Sequence, residues 1–202
     1  MSVKLAIIYY SSTGTVDAMA RRAESTAEKA GAETRLRQVE ELAPDEIIDG
    51  IAEWRRHVDE TAGEPKATSE DIVWADAVVL GTPTRFGNVA SQLKQYLDTL
   101  GPQWSEGQLA DKVYAGFTAA KTAHGGQETT LLALYNTVYH FGGILVPPGY
   151  TDPVKFEDGN PYGVSHGTGA EGETPLGDIQ EAALDHLVER VLDVTRRLNE
   201  GN

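Results

Sequence analysis

The sequence predicts an α/β fold in which five parallel strands form one open sheet with helices on both of its faces. Nearly continuous apolar runs, such as residues 5–10 and 76–81, are typical of strands that are buried on both faces. Helical segments with one apolar face, such as residues 16–30 and 177–198, alternate with these runs. Because a helix between two strands returns the chain to the same end of the sheet, this alternation favours a parallel, doubly wound arrangement.

The predicted elements follow one another in a regular order. Strands are predicted over residues 5–10, 34–39, 76–81, 112–119 and 143–146, and helices over residues 16–30, 45–58, 69–74, 89–100, 128–140 and 177–198. The acidic segment 40–70 is interpreted as an insertion, within which Trp54 and His57 are expected to be packing and surface residues. Segment 147–176, rich in Gly, Pro and Tyr, is predicted to be irregular. We expect residues 1–202 to form a single domain that carries these two insertions.

The composition excludes several kinds of site. The chain of 202 residues contains no Cys, which rules out disulfides, iron–sulfur clusters, thiolate metal sites and cysteine nucleophiles. No other group of residues suggests a metal site or a side-chain nucleophile. No apolar run approaches the length of a membrane span, and the N-terminus enters a strand without a signal-peptide pattern. A cytoplasmic location is therefore expected.

The net charge of −14 and the pI near 4.7 arise from acidic residues that are spread along the whole chain. Such a surface repels the phosphates of nucleic acids and anionic membranes, so neither is expected as a partner. A distributed acidic coat with few lysines also suits a high-salt cytoplasm, in which screening suppresses self-repulsion. An origin in a halophile is a hypothesis on this basis.

The first predicted strand runs into a short loop, Ser11-Ser12-Thr13-Gly14-Thr15, directly before a helix. The free N–H groups and the dipole of a helix N-terminus favour an anion at this place. The loop lacks the glycine pattern of dinucleotide sites and the Gly-Lys pattern of nucleoside-triphosphate loops. Four hydroxyls and no Lys or Arg suit a single terminal phosphate, as a mononucleotide presents it. The alternative is a hydroxyl N-cap on an ordinary turn.

Three unusual loops follow predicted strands, over residues 11–15, 82–88 and 119–127. The carboxyl ends of parallel strands meet at one edge of the sheet, and ligands bind beyond that edge at the topological switch point. We therefore expect the three loops to form one composite site.

The residues of these loops resemble those of the flavodoxin-like, FMN-dependent NAD(P)H:quinone oxidoreductases of the WrbA type. Tyr9-Tyr10-Ser11 with Gly14 is similar to the phosphate loop of that family, and Gly-Thr-Pro-Thr-Arg-Phe-Gly-Asn at 81–88 matches its flavin loop residue for residue. Residues 124–128 (His-Gly-Gly-Gln-Glu), Val146-Pro147 with Gly149-Tyr150, and Pro161-Tyr162-Gly163 match further segments. The resemblance covers nearly the whole chain and implies a flavodoxin-like, doubly wound sheet of five parallel strands.

The resemblance also implies a set of site residues. Residues 11–16 would hold the FMN phosphate, 84–86 would line the isoalloxazine, and 119–125 would cover the ribityl and pyrimidine portion. The implied cofactor-binding residues are Ser11, Ser12, Thr13, Gly14, Thr15, Val16, Pro83, Thr84, Arg85, Phe86, Gly87, Asn88, Ala119, Ala120, Lys121, Thr122, Ala123, His124, Gly125 and Phe141. Trp104 and Thr13 are implied at the substrate cavity. For Trp104, a position in the hydrophobic core is the alternative.

The chain departs from the family pattern at several of these positions. Phe141 stands where many members have a His beside the flavin, and a phenyl ring cannot donate a hydrogen bond or relay a proton. Thr13 and Thr15 stand where many members have Tyr and His, so the loop keeps hydroxyl donors but lacks an aromatic lid. Lys121 lies in a loop where relatives often have hydroxyls and glycines.

The implied activity is the two-electron reduction of a quinone by NADH or NADPH, with the flavin as hydride carrier and without a metal or a side-chain catalyst. The family also implies a homotetramer. A one-electron carrier of the flavodoxin type is the first alternative, since those proteins are acidic too, although a small carrier lacks the two insertions. A non-catalytic regulatory binding protein is the second alternative, and no residue pattern supports it.

Overall fold

Strands and helices alternate along the chain, as the hydrophobic pattern predicts. The computed structural model describes residues 2–170, 172 and 174–201. Positions 171 and 173 of the predicted 147–176 segment, and positions 1 and 202 of the predicted domain, lie outside the described residues. The strands are β1 (Lys4–Tyr9), β2 (Glu33–Gln38), β3 (Ala77–Arg85), β4 (Asn88–Val89), β5 (Val113–Ala120), β6 (Ile144–Leu145) and β7 (Val164–Gly167).

The helices account for most of the chain between the strands. They are α1 (Thr15–Lys29), α2 (Asp45–Ile48), α3 (Ala52–Glu60), α4 (Ser69–Trp74), α5 (Ser91–Asp98), α6 (Gly101–Ser105), α7 (Gln127–Phe141), α8 (Val154–Asp158) and α9 (Asp178–Glu200). Among the described residues, no helix is both long and apolar enough to cross a membrane.

The parallel sheet has the order β2-β1-β3-β5-β6, so the chain reverses its direction of winding between β1 and β3. Leu5 on β1 pairs with Thr34 on one side and with Ala77 on the other, and Ala77 pairs in turn with Val113 on β5. A flavodoxin-like sheet has this order, and its switch point lies where the winding reverses. The predicted doubly wound, flavodoxin-like sheet is confirmed.

The two faces of the sheet carry two separate cores. Ile7 and Phe117 point to one face, where α1 and α9 cover them with residues such as Met19 and Leu187. Ile8 and Leu80 point to the other face, with residues of α4, α5 and α7. Because alternate side chains of a strand point to opposite faces, strands covered on both sides need continuous apolar runs. This requirement explains why the strand prediction succeeded in the centre of the sheet.

The fifth strand position is occupied by two short strands. β6 pairs with Val113 and Tyr114 at the start of β5, whereas β7 pairs with residues 117–120 at its end. The chain between them leaves the sheet and contains α8. The prediction that 147–176 is irregular was therefore wrong in part. The sequence Val-Ser-His-Gly of β7 lacks the apolar run of a doubly buried strand, and its pairing with β5 alone defines it.

The segment 40–70 contains α2 and α3 in place of the single predicted helix over residues 45–58. The break falls at Gly50 and Ile51, where Ile51 has the extended φ of −132°. The extended residue ends one helix and precedes the next, because helical φ values near −63° are required for continuation. The two short helices fold back toward the first loop of the sheet, where His57 meets Gly14.

Candidate functional site

The three loops that the sequence singled out meet at the carboxyl edge of β1, β3 and β5. Arg85 Nη2 donates a hydrogen bond to Ser12 Oγ over 3.2 Å, which joins the 83–88 segment to the 11–16 loop. Thr84 Oγ1 and Thr130 Oγ1 are 2.6 Å apart, which joins the same segment to the first turn of α7, directly after the 119–125 loop. The predicted loops therefore form one continuous edge.

The 11–16 loop presents the open N-terminus of α1. Gly14 precedes the helix with a left-handed φ of 101°, and no side chain among the described residues caps this end. The first helical hydrogen bond runs from Ala18 N to Gly14 O over 2.9 Å, so the N–H groups of residues 15–17 have no helical partner. The absence of a side-chain cap argues against the alternative of an ordinary hydroxyl N-cap. The geometry fits an anion.

The side chains of this loop divide into two groups. Ser11 is buried, and its Oγ accepts a hydrogen bond from Gly14 N over 3.1 Å, which holds the shape of the loop. Val16 is buried in the core beneath α1, so only its backbone N–H serves the site. Ser12, Thr13 and Thr15 retain exposed surface and are the hydroxyls available to a ligand.

The 83–88 segment is a β-hairpin, which the sequence analysis did not predict. β3 continues to Arg85 and pairs antiparallel with β4, and Phe86 and Gly87 form the turn with φ values of 52° and 74°. Two consecutive positive φ values are typical of a type I′ turn. The predicted helix over 89–100 consequently starts later, at Ser91.

Phe86 occupies an unfavourable position for its residue type. Its φ is positive although it has a bulky side chain, and the side chain is fully exposed, with a relative exposure of 103%. A non-glycine residue held in this region costs about 1–3 kcal/mol, and such residues cluster at ligand sites. The hairpin therefore presents an aromatic ring at the sheet edge at the expense of local stability.

Close packing fixes the hairpin against α7. A Cβ at Gly126 would lie 2.8 Å from Gly87 Cα, and a Cβ at Gly87 would lie 2.9 Å from Thr129 Oγ1. Both glycines have positive φ values, so side chains are disfavoured at both positions on two grounds. The glycines of the 82–88 and 119–127 loops thus let the two loops touch.

The predicted 119–125 loop is partly strand. Ala119 and Ala120 are buried at the end of β5, whereas residues 121–124, including His124, are exposed. Lys121 Nζ donates to the Ala170 carbonyl over 2.7 Å, so it links this loop to the chain after β7. Gln127 Nε2 closes the loop by donating to the Thr122 carbonyl over 2.7 Å.

Glu41 is a half-buried residue behind the loops that the sequence analysis did not single out. Its Oε2 accepts hydrogen bonds from Tyr10 Oη at 2.8 Å and Trp54 Nε1 at 2.9 Å, and its Oε1 accepts one from Gln92 Nε2 at 2.7 Å. One carboxylate thus ties the end of β1 to α3 and α5 behind the site. Its place directly after the predicted second strand was a signal, because residues there lie at the ligand edge.

These hydrogen bonds change the acidity of the groups involved. Burial raises the pKa of Glu41, but hydrogen bonds from Ala43 N, Gln92, Trp54 and Tyr10 outweigh it and hold that pKa below its usual value. Burial and the neighbouring Glu41 raise the pKa of the Tyr10 hydroxyl well above its ordinary range. Glu41 is therefore a carboxylate and Tyr10 a neutral donor at neutral pH.

His57 is placed differently from the expected surface position. It is buried, with 4% exposure, and its Nδ1 lies 3.6 Å from the position of a Cβ on Gly14. Burial, the largest cause, holds its pKa below the ordinary value of 6.5. No local pattern could have indicated this contact, because it depends on how α3 folds back over α1. Trp54 packs as expected.

Phe141 and Trp104 lie at the opposite edge of the sheet within one chain. α7 starts beyond the end of β5 and runs back, so Phe141 packs against Tyr114 near the start of β5, with ring centroids 6.3 Å apart. Trp104 is 53% exposed and donates from Nε1 to the His140 carbonyl over 2.7 Å. With Leu97, the two rings line an open cavity of about 190 Å³. The structure does not bring them to the three loops of their own chain.

Comparisons with known proteins identify the family. The profile described as NADPH-dependent FMN reductase matches residues 3–152. A protein of Deinococcus radiodurans named NAD(P)H dehydrogenase (quinone) is 47% identical over 197 residues, which are 97% of this chain and 97% of that protein. A protein of Rhodopseudomonas palustris with the same name is 34% identical over 97% of this chain and 98% of its own length.

The chain belongs to the NADPH-dependent FMN reductase family. Its fold is also similar to a solved structure described as a flavodoxin, WrbA-like protein from Agrobacterium tumefaciens. The TM-score is 0.66 at 24% identity, over 97% of this chain and 99% of that one. At this identity the likeness concerns the fold alone.

The residues at the sheet edge fit the FMN cofactor of this family. The uncapped N-terminus of α1 and the hydroxyls of Ser12, Thr13 and Thr15 suit a phosphate. Phe86 supplies an exposed ring at the same edge, next to Arg85. Within the described residues, no group of three or more His, Cys, Asp or Glu side chains could hold a metal ion.

Proposed function

We propose that this protein is an FMN-dependent NAD(P)H:quinone oxidoreductase, which reduces quinones to hydroquinones by two electrons. The observation that carries the proposal is the meeting of the three loops at one sheet edge, with Arg85 bonded to Ser12 at its centre. The relatives named NAD(P)H dehydrogenase (quinone) support the activity, because two of them match the chain over 97% of its length.

The protein residues bind and orient the cofactor. FMN, when bound, would supply the hydride-transfer chemistry between a nicotinamide and a quinone. The N–H groups of residues 15–17 and the nearby hydroxyls bind the phosphate. Arg85 places a positive charge at the edge, where it stabilises negative charge that develops on reduction. Phe86 packs against a flat ring and excludes water from one side of it.

The remaining residues of the proposed site shape the loops or offer backbone and side-chain groups to the cofactor. Pro83 and Thr84 are strand residues, and Thr84 holds the hairpin to Thr130. Gly87 and Asn88 complete the turn and the return strand. Residues 119–125 offer backbone groups and exposed side chains, including those of Thr122, Ala123 and His124, to the ribityl and pyrimidine portion.

Recognition of the 2′-phosphate of NADPH needs a nearby Arg or Lys, and Arg85, Lys121 and Lys155 differ in their suitability. Lys155 is fully buried and paired with Asp158, so it is removed from the set. Lys121 is exposed but bonded to the Ala170 carbonyl. Arg85 is exposed at the site itself. We infer that any recognition of the 2′-phosphate uses Arg85 or Lys121.

We propose that the substrate cavity is completed by a second copy of the chain in a homotetramer. Phe141 and Trp104 lie at the far edge of their own sheet, so they reach the flavin ring only from a neighbouring copy. The exposed ring of Trp104 beside a small apolar cavity supports this arrangement. Sedimentation of the wild type and of Trp104→Ala tests it, and a monomeric wild-type protein with full quinone turnover contradicts it.

Two further proposals follow from the cofactor and the charge. We place the reaction in the cytoplasm, where NAD(P)H is supplied.

We also propose that the protein works at high salt, since its net charge is −14 and salt screens the repulsion between its acidic residues.

A visible spectrum and a turnover assay test the proposed function. Purified full-length protein should show flavin absorption and should catalyse benzoquinone reduction with NADH or NADPH, consuming one nicotinamide for each quinone. FMN-replete protein without such turnover would refute the enzyme, and transfer of single electrons to an acceptor protein in its place would support the carrier alternative. Purified protein that takes up no FMN would refute both.

A further inference from the structure

His57 on α3 lies against the 11–16 loop, in a position that the proposed reaction does not use. Its Nδ1 is 3.6 Å from the place of a Cβ on Gly14, the residue before the uncapped end of α1. Its other ring nitrogen, Nε2, is buried and has no hydrogen-bond partner among the residues that the structure describes. A buried nitrogen without a partner costs stability, and Nδ1, the nitrogen beside Gly14, is the one that could meet a ligand at the loop.

Charged groups of several elements surround this imidazole. Asp17 and Arg21 face it from α1, Glu60 from its own helix, and Glu64 from the chain after α3. Burial lowers the pKa of His57, the three carboxylates raise it, and Arg21 lowers it. The net direction is downward, so the ring is neutral at neutral pH when no anion occupies the loop.

The loop has few cations with which to balance a phosphate. Residues 11–16 contain no Lys or Arg. Arg85 reaches the loop through Ser12, and Arg21 is already engaged by two carboxylates. A phosphate monoester carries between one and two negative charges at neutral pH. His57 is thus an ionisable base beside the loop that could still change its charge when a phosphate binds.

We propose that His57 is a phosphate-binding residue of the FMN site, which takes up a proton when the flavin binds and stabilises the phosphate through Nδ1 beside Gly14. The inference rests on the proposed function, because it assigns a residue to the same cofactor. An adjacent anion favours the charged imidazole, so the pKa of His57 is higher in the complex than in the free protein. FMN affinity therefore falls as the pH rises from the His57 pKa of the free protein to the His57 pKa of the complex.

Fluorescence titrations of the full-length protein, stripped of flavin, test the inference. Riboflavin is the matched ligand, because it lacks only the phosphate. His57→Gln is the test variant. His186→Gln is the control, since His186 lies on α9 and its Nε2 is bonded to Thr151 Oγ1 at 2.9 Å. We expect His57→Gln to bind FMN more weakly than the wild type, with the loss approaching tenfold below the His57 pKa of the free protein, as for one unit of pKa shift, and to bind riboflavin like the wild type.

Proton uptake by the unaltered protein gives a second measurement that does not depend on the folding of a variant. Calorimetric titration with FMN in two buffers of different ionisation enthalpy should show net proton uptake at a pH between the His57 pKa values of the free protein and of the complex, and titration with riboflavin should show none. Equal FMN affinities of His57→Gln and wild type would overturn the inference, as would an equal loss of FMN and riboflavin binding. Wild-type protein that binds neither flavin would instead refute the proposed function.

Discussion

Arg85 donates a hydrogen bond from Nη2 to Ser12 Oγ over 3.2 Å and a second one from Nη1 to the Thr84 carbonyl over 3.1 Å. The first bond spans two loops, and the second holds the guanidinium along its own strand. An exposed positive charge is thereby fixed between the phosphate loop and the hairpin. Fixed charge stabilises a developing negative charge better than a mobile side chain does, because little reorganisation is needed.

Removal of the guanidinium should therefore lower activity more than stability. We expect Arg85→Ala to reduce kcat/KM for NADH-dependent quinone reduction about tenfold, a loss of about 1.4 kcal/mol in transition-state stabilisation. Arg56→Ala is the control, because Arg56 is exposed and its ion pair, with Glu60 at 3.9 Å, lies on the surface of α3. Steady-state kinetics of FMN-loaded proteins measure the effect, and an unchanged kcat/KM for Arg85→Ala would remove Arg85 from the site.

Phe86→Asn should separate stability from function. Asn tolerates positive φ values better than Phe, so the type I′ turn should relax and the free energy of unfolding should rise by up to about 1 kcal/mol. Quinone reduction should fall, because the exposed ring is lost. Phe156→Asn provides a control at an exposed Phe on α8. Denaturant unfolding and turnover are the measurements, and a destabilised variant would show that the ring packs in the native hairpin.

The Glu41 carboxylate should make the free energy of unfolding depend on pH in the acid range. Its pKa is lowered in the folded protein, so its contribution is present above the unfolded value of about 4.3 and is lost as the pH falls through the folded value. Glu41→Gln should therefore be less stable than the wild type at neutral pH and should lose less stability on acidification. Glu40→Gln, at an exposed neighbouring position, serves as control. If Glu41→Gln and the wild type lost the same free energy of unfolding on acidification, the expectation would be contradicted.

The Lys155–Asp158 pair should be important for the segment between β6 and β7. Neither side chain is exposed, and Lys155 Nζ also donates to the Gly163 carbonyl over 2.8 Å. Lys155→Met leaves a buried carboxylate without its partner and should cost about 3–5 kcal/mol of unfolding free energy. The double variant Lys155→Met/Asp158→Leu should recover much of this loss. Lys94→Met, at an exposed pair with Asp98, is the control.

Salt should stabilise the protein if the acidic surface reflects high-salt conditions. The net charge is −14, and screening shortens the range of repulsion to about 3 Å at 1 M salt. We expect the Tm to rise steadily with KCl. A Tm that is flat or falls with KCl would contradict the proposal of a high-salt environment.

The family and the central fold were predictable because their signals are local. The apolar runs of β1, β3 and β5 and the eight residues at 81–88 are contiguous in sequence, and both predictions are confirmed. Helix α4 has the predicted bounds, since Thr68 and Asp71 form a capping box at its start. At helices with weaker end signals, the observed bounds differ from the predicted ones by one or two residues, as at α1.

Two departures from prediction involve contacts between distant parts of the chain. β7 is a strand because it pairs with the end of β5, and its four residues carry no strong strand pattern. The hairpin at Phe86 forms because β3 continues past Pro83 and packs against α7. Neither feature can be read from the local pattern of hydrophobic residues.

The periodicity of hydrophobic residues was enough to predict a doubly wound sheet, and the contiguous motifs were enough to predict the family. The side chains that lie behind the 11–16 loop, by contrast, are placed by long-range packing. Folding of α3 over α1 places His57 at Gly14, and the Glu41 carboxylate joins β1, α3 and α5. The direction of α7 carries Phe141 away from its own loops. A side chain's neighbours across the fold are set by the packing of whole elements, which residue order alone does not specify.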